Sequence, residues 1–146
     1  MGEEAQTAAC RAWSVWEGSV SQLHAPSREV ARAEWADHLD GRFALAFARI
    51  ENHYFSGGKS RGGVPGFFPR DGWLLEAENL ARLAAIPVTI VQGRYDVVCP
   101  PTSAYELHKL LPGSTLHITT TGHSAFEPEI IQRLVETTDA LRTDLR

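Results

Sequence analysis

The sequence predicts an α/β chain in two parts: a helical first part over residues 1–80 and a parallel α/β layer over residues 81–146. Two contrasts and one interruption point to this. The first part is rich in Trp and Ala, with apolar residues at three- and four-residue steps. The second alternates short β-branched runs with helical spacing, as parallel strands joined by crossover helices do. In the first part, Ser56 to Gly72 contains six glycines and two prolines, a composition that regular elements do not tolerate.

Each element follows in order. Glu3 to Glu17 reads as a helix with Ala8, Ala9, Ala12, Trp13 and Trp16 on one stripe and Gly18 as its stop. Residues 19–27 read as a loop containing Pro26. Ser27-Arg28-Glu29 opens a short helix to about His38. Phe43, Ala44, Phe47, Ile50 and Tyr54 predict a longer helix over 42–55. After the Gly-rich loop at 56–72, residues 74–85 read as another helix. Pro87 to Gln92 is predicted as a buried strand, with Gly93 allowing a sharp exit. A helix over 102–111 ends before Pro112-Gly113, a second strand covers 114–119, and a closing helix covers 127–141. Its expected inward residues are Ile130, Ile131, Leu134, Val135 and Leu141.

Composition narrows the function. A net charge of −4 with scattered Lys and Arg offers no electrostatic footprint for nucleic acid. No apolar run approaches the roughly 18–20 residues that cross a bilayer, so no membrane partner is expected. The start, Met1-Gly2-Glu3-Glu4, is acidic where a secretory leader is basic, and the two cysteines are too few for a disulfide framework. A reducing cytoplasm is the expected location. His-Glu-x-x-His and Cys-x-x-Cys spacings are absent from the sequence, so neither a metal nor a cofactor is expected.

The chemistry concentrates in two segments. Gly93-Arg94-Tyr95-Asp96-Val97-Val98-Cys99-Pro100 follows the first strand, and Gly122-His123-Ser124-Ala125-Phe126-Glu127-Pro128 follows the second. On a parallel sheet, successive strand-to-helix loops share one edge, so Asp96 and His123 can meet there. That is the layout of the acid and base of a serine-hydrolase triad in the chain order nucleophile, acid, histidine. The competing explanations are a turn aspartate that bonds its own backbone and a surface histidine without a role. His24, His38, His53, His108 and His117 lack any comparable partner pattern.

The nucleophile is missing from this scheme. Gly58-Lys59-Ser60-Arg61-Gly62 matches Gly-x-Ser-x-Gly literally, but the motif works only between a strand and a helix. Ser60 instead follows a helix and sits in a loop, where oxyanion donors cannot be preorganised; it is disfavoured. Cys99 shares a loop with Asp96, whose charge would blunt its thiol, so packing is the better reading of it. Glu17 and Glu51 each lie among aromatic residues, at Trp13 to Gly18 and at Phe47 to Phe55. Converging, they would form a receptor for an ammonium group with aromatic walls. Solvated helix-face carboxylates, or a pairing of Glu51 with Arg49 or Arg94, are the alternative.

Four segments together resemble the proline iminopeptidases, prolyl aminopeptidases of the α/β-hydrolase superfamily. They are Ala12-Trp13-Ser14-Val15-Trp16-Glu17-Gly18, Phe43 through Phe55, Gly93 through Pro100, and Gly122 through Pro128. The resemblance implies the C-terminal part of an α/β-hydrolase fold: the helical cap plus the last two strand–helix units of the parallel sheet. It implies Asp96 and His123 as triad acid and base, and Glu17 and Glu51 as cap residues gripping the amino group of an N-terminal proline. The implied substrates are peptides with N-terminal proline. The family's Gly-Gly-Ser-x-Gly elbow and oxyanion loop are not in this sequence, and the Gly-rich stretch at 56–72 is longer than the family's usual connection. The isolated chain is therefore expected to be inactive. An association module, docking onto a separate N-terminal hydrolase half or onto its own copy, is the other expectation.

Overall fold

The computed structural model describes residues 2–56 and 67–144, which divide into two units. The first is drawn from 1–19 and 26–76, the second from 20–25 and 77–146. The sequence reading counts residues 20–25 with the first part and sets the change of character at residue 80. In the structure the change falls between Glu76 and Ala77, and the strap Val20–Ala25 groups with the second unit. The candidate Ser60, with most of the Gly-rich loop, lies outside the described residues.

In the first unit, α1 (Glu3–Val20) passes through Gly18 instead of stopping there. A Cβ on Gly18 would lie 2.6 Å from Cδ1 of Trp35, so this glycine serves the close approach of an indole. The buried stripe of α1 is Cys10, Ser14, Glu17 and Gly18, whereas Trp13 and Trp16 remain exposed. This corrects the predicted apolar stripe: small residues give the face that neighbours can reach, and the two indoles flank it, 5.4 Å apart. The Ser14 hydroxyl donates to the Cys10 carbonyl at 3.0 Å, which satisfies it without leaving the helix.

Ser27 caps α2 (Arg28–Ala31) by accepting the Val30 N–H. The Glu29 carboxyl lies below the usual carboxylate range, through its own backbone N–H and then the Ser27 hydroxyl. The expected helix to His38 is broken into α2, a π-helical turn over Arg32–Ala36, and a 3-10 turn over His38–Gly41. Asp37 N–H reaches the Arg32 carbonyl, closing that wider turn. Gly41 takes a left-handed conformation (φ +78°) before α3 (Arg42–Phe55), which has the predicted boundaries. Phe43 and Phe47 stack at 5.5 Å, and Trp35 meets both edge-on. A second aromatic group joins Tyr54, Phe67, Phe68 and Trp73.

The helix expected over 74–85 is instead a 3-10 turn (Trp73–Leu75) and, in the second unit, the short α4 (Ala77–Ala81). Glu76 separates them in an extended conformation, with its carboxylate held by both Nε and Nη2 of Arg70. Then β1 (Thr89–Gly93), α5 (Pro101–Leu110), β2 (Thr115–Thr119) and α6 (Pro128–Asp144) complete the second unit. The strands pair in parallel, Thr89 opposite Thr115 and Gly93 opposite Thr119. A parallel pair needs a long return, and α5 supplies it. The result is a mixed α/β chain with a small parallel sheet.

β1 is not the buried strand that its sequence suggests: Thr89 to Gln92 are only half-buried. A two-stranded sheet leaves each strand one edge without a strand partner among the described residues, and its faces are incompletely covered. Of the expected inward face of α6, Ile130 is buried and Leu141 half-buried, while Ile131, Leu134 and Val135 are exposed.

The tight seat of Gly18 gives a first test. Gly18→Ala would gain about 1 kcal/mol of helix propensity but must displace an indole pinned by two Phe rings. Overpacking of this kind costs about 1–3 kcal/mol, so a lower midpoint of denaturation is expected by tryptophan fluorescence. A raised midpoint would show that Trp35 yields freely.

Candidate active site

Both strand exits of the second unit are fixed by backbone bonds before any side chain is considered. Arg94 N–H donates to the Thr119 carbonyl at 2.9 Å, and Tyr95 N–H to that of Thr121 at 3.0 Å. Gly93 lies where these chains are closest. A Cβ there would collide with the Gly122 carbonyl oxygen and stand 2.7 Å from that of Thr121. Close approach is thus what this position demands of glycine, because only a residue without a side chain lets the two loops touch.

Asp96 is the polar centre of the exit from β1, with its side chain 5% exposed. Its Oδ1 accepts the Val98 N–H at 3.0 Å and the Cys99 N–H at 2.7 Å. Its Oδ2 accepts Nε2–H of Gln92 at 3.0 Å and faces Nδ1 of His123 at 3.0 Å. The turn bonds and the contact with His123 thus fall on different oxygens of one carboxylate. Three of its neighbours can only donate, so the chemistry assigns the proton of the fourth contact to His123 Nδ1. In the neutral ring that tautomer leaves the basic lone pair on Nε2. The imidazole is 30% exposed, so a reactant can reach the ring.

His123 is held from its backbone as well. Its N–H and that of Ser124 both donate to the Ser21 carbonyl at 2.7 Å. Gly122 N–H donates to Oε1 of Glu127 at 2.7 Å. Beneath the loop, the Thr119 hydroxyl lies 2.7 Å from that of Thr121 and donates to the Gln92 carbonyl at 3.2 Å.

Sequence reasoning missed Gln92, Ser21 and Glu127. Gln92 left a signal: a long amide inside a β-branched run is out of character unless it has a buried partner. Ser21 left none, because its backbone carbonyl acts at a distance of 102 residues along the chain. Cys99 takes part through its backbone, donating its N–H to Asp96 and accepting Nε2–H of Gln92 at its carbonyl.

Glu17 and Glu51 belong to the first unit. Glu17 is buried on α1, 3% exposed. Glu51 Oε2 accepts the indole N–H of Trp13 at 2.6 Å, which ties α3 to α1 one helical turn before Glu17. The arginine pairing considered for Glu51 gives way here to an indole donor. Among the described residues, no cluster of three or more His, Cys, Asp or Glu could hold a metal ion. None of the described helices is long and apolar enough to cross a membrane.

No protein-family model matches the chain. Among curated proteins it is 50% identical over 138 residues to the proline iminopeptidase of Xanthomonas citri, which covers 94% of this chain and 40% of that protein. It is 48% identical to the proline iminopeptidase of Xylella fastidiosa (strain 9a5c), with the same two coverages. The proline iminopeptidase of Arabidopsis thaliana is 45% identical over 140 residues, 95% of this chain and 33% of that protein. This chain is homologous to part of the proline iminopeptidases. With so few residues left unmatched, the similarity to these proline iminopeptidases extends through both units. The chain spans about 40% of the length of the two bacterial relatives.

Gly93→Ala tests the contact on which the paired loops depend. The obstruction is backbone, which cannot swing aside as a side chain can. We expect destabilisation of at least about 1–3 kcal/mol, together with faster amide exchange at Arg94 and Tyr95. Unchanged exchange at both amides would mean that the loops do not need this approach.

Proposed function

We propose that this chain carries the acid and base of a proline iminopeptidase-type serine hydrolase, acting on peptides with N-terminal proline. The observation that carries the proposal is the 3.0 Å contact between Asp96 Oδ2 and His123 Nδ1, with Asp96 anchored by three further donors. The names of the relatives support the substrate class. On this reading the parallel pair and its helices are the last two strand–helix units of an α/β-hydrolase core, and the first unit is its cap.

The chemistry is acyl transfer. A serine hydroxyl attacks the carbonyl of the N-terminal proline, and Nε2 of His123 takes its proton. Asp96 holds the imidazole in the required tautomer and stabilises the imidazolium that forms. His123 then returns the proton to the leaving amine, and water releases proline by the same route. Glu17 and Glu51 bind the cationic secondary ammonium of the substrate, with Trp13 and Trp16 offering apolar walls to its ring. Paired carboxylates at that point select free N-termini.

The serine comes from a segment equivalent to the part of the relatives outside the match, which is the greater part of their length. Without that segment this chain is inactive, and a separate N-terminal hydrolase half docking onto it is the alternative source. Its surface favours such association. Ile131, Leu134 and Val135 form an i, i+3, i+4 stripe exposed by 41–52%, beside a sheet that has two strands among the described residues.

A chromogenic proline amide provides the assay, with this chain alone and mixed with the N-terminal half of a relative. We expect activity only in the mixture. Asp96→Asn or His123→Ala should then lower kcat by about 10⁴-fold, whereas Glu17→Gln and Glu51→Gln should chiefly raise KM. Activity of the lone chain that disappears in Ser60→Ala would overturn the assignment of the nucleophile.

A further inference from the structure

Glu127 makes a bridge that the acid–base pair does not itself require. Its Oε1 accepts the N–H of Gly122 at 2.7 Å, and its Oε2 accepts the N–H of Leu23 at 3.1 Å. Gly122 immediately precedes His123. Leu23 lies on the strap Val20–Ala25, whose Ser21 carbonyl accepts the N–H groups of both His123 and Ser124. All three N–H groups of the Gly122–His123–Ser124 arm therefore bond to the strap or to Glu127. Gly122 permits this, because a Cβ there would stand 2.9 Å from both Leu23 N and the Ser21 carbonyl oxygen.

Glu127 is itself well anchored. Its N–H donates to the Ser124 carbonyl at 3.1 Å, and its carbonyl accepts Ile131 N–H at the start of α6. A negative charge at a helix start is also favoured by the helix dipole. The chemistry of the bridge is specific. A carboxylate presents two acceptor oxygens and no donor, so it can take one N–H on each. Glutamine would turn an NH₂ group toward one of those N–H donors, and aspartate is one methylene shorter.

We propose that Glu127 is a positioning residue for His123: it clamps the strap 20–25 to the arm that presents the imidazole to Asp96. The proposal rests on the reading of Asp96 and His123 as an acid–base pair. Without the clamp the arm loses its bond to Glu127 while the Ser21 carbonyl still holds it, and the ring is held less firmly at its distance from Oδ2. Glu129 is a natural comparison. Its Oε2 accepts the Thr120 N–H at 2.8 Å, farther back along the same loop.

The test is nuclear magnetic resonance on the full ¹⁵N-labelled chain, which reads the imidazole directly. The unsubstituted protein should show a low-field Nδ1–H signal, absent in His123→Ala. In Glu127→Ala that signal should vanish into exchange with water. Amide exchange at Gly122, His123 and Ser124 should accelerate on the order of tenfold or more, while Val91 and Ile118 amides stay protected. Glu129→Gln should leave the His123 signal in place. A full His123 signal with unchanged exchange in Glu127→Ala would overturn the proposal. Should that variant fail to fold, Glu127→Gln, which keeps the volume and one acceptor, decides: a weakened His123 signal supports the clamp and an unaltered one refutes it. If the unsubstituted chain shows no Nδ1–H signal, the acid–base pair fails first, and the proposal falls with it.

Discussion

The close approach of Gly93 to the carbonyls of Thr121 and Gly122 is the constraint on which the second unit depends. It brings two loops that are sequentially remote into direct contact, and the exit bonds from Arg94 and Tyr95 hold them there. Asp96 and His123 are then close for backbone reasons, and the side chains need only complete the arrangement. A carboxylate with four surrounding donors is the natural filling for such a junction. An isolated buried charge would cost several kcal/mol, whereas one that accepts bonds at both oxygens is compensated.

The order of support around His123 is instructive. Asp96 holds the ring, the Ser21 carbonyl holds the backbone, and Glu127 joins the carrier of that carbonyl to the residue before the histidine. On the proposed acid–base reading this geometry tolerates little slack, since displacement by about 1 Å can cost about a hundredfold in rate. Groups outside the reacting set therefore have real leverage on it. The first unit shows the same economy: Trp13 supplies an indole donor to Glu51 and lies one turn from Glu17, so aromatic and acidic residues are set by a shared pair of helices.

The apolar surface has a different meaning. Phe126 is 86% exposed, and the stripe on α6 stands open beside half-buried strands. Burying apolar surface is worth roughly 25 cal/mol per Å², so a chain that leaves such residues exposed has stabilisation still to gain by association. That agrees with a chain matching about 40% of the length of its bacterial relatives. A larger sheet would cover both the strand edge and the helix stripe.

Local pattern alone determined a good deal of this protein. The β-branched runs ending at Gly93 and near Gly122 were enough to put Asp96 and His123 on adjacent loops, because successive exits of parallel strands share an edge. The spacing of Phe43, Ala44 and Phe47 likewise defined α3 from Arg42 to Phe55, since a helix repeats every 3.6 residues whatever packs against it. Tertiary structure alone decided which face of α1 is buried, because Gly18 and Ser14 admit neighbours that the larger indoles exclude. It also decided that the helix expected over 74–85 breaks at Glu76, where Arg70 holds the carboxylate. The indole partner of Glu51 and the Ser21 carbonyl behind His123 belong to the same class. Each joins residues far apart in the chain through one or two hydrogen bonds, and no periodicity in a sequence records such a contact.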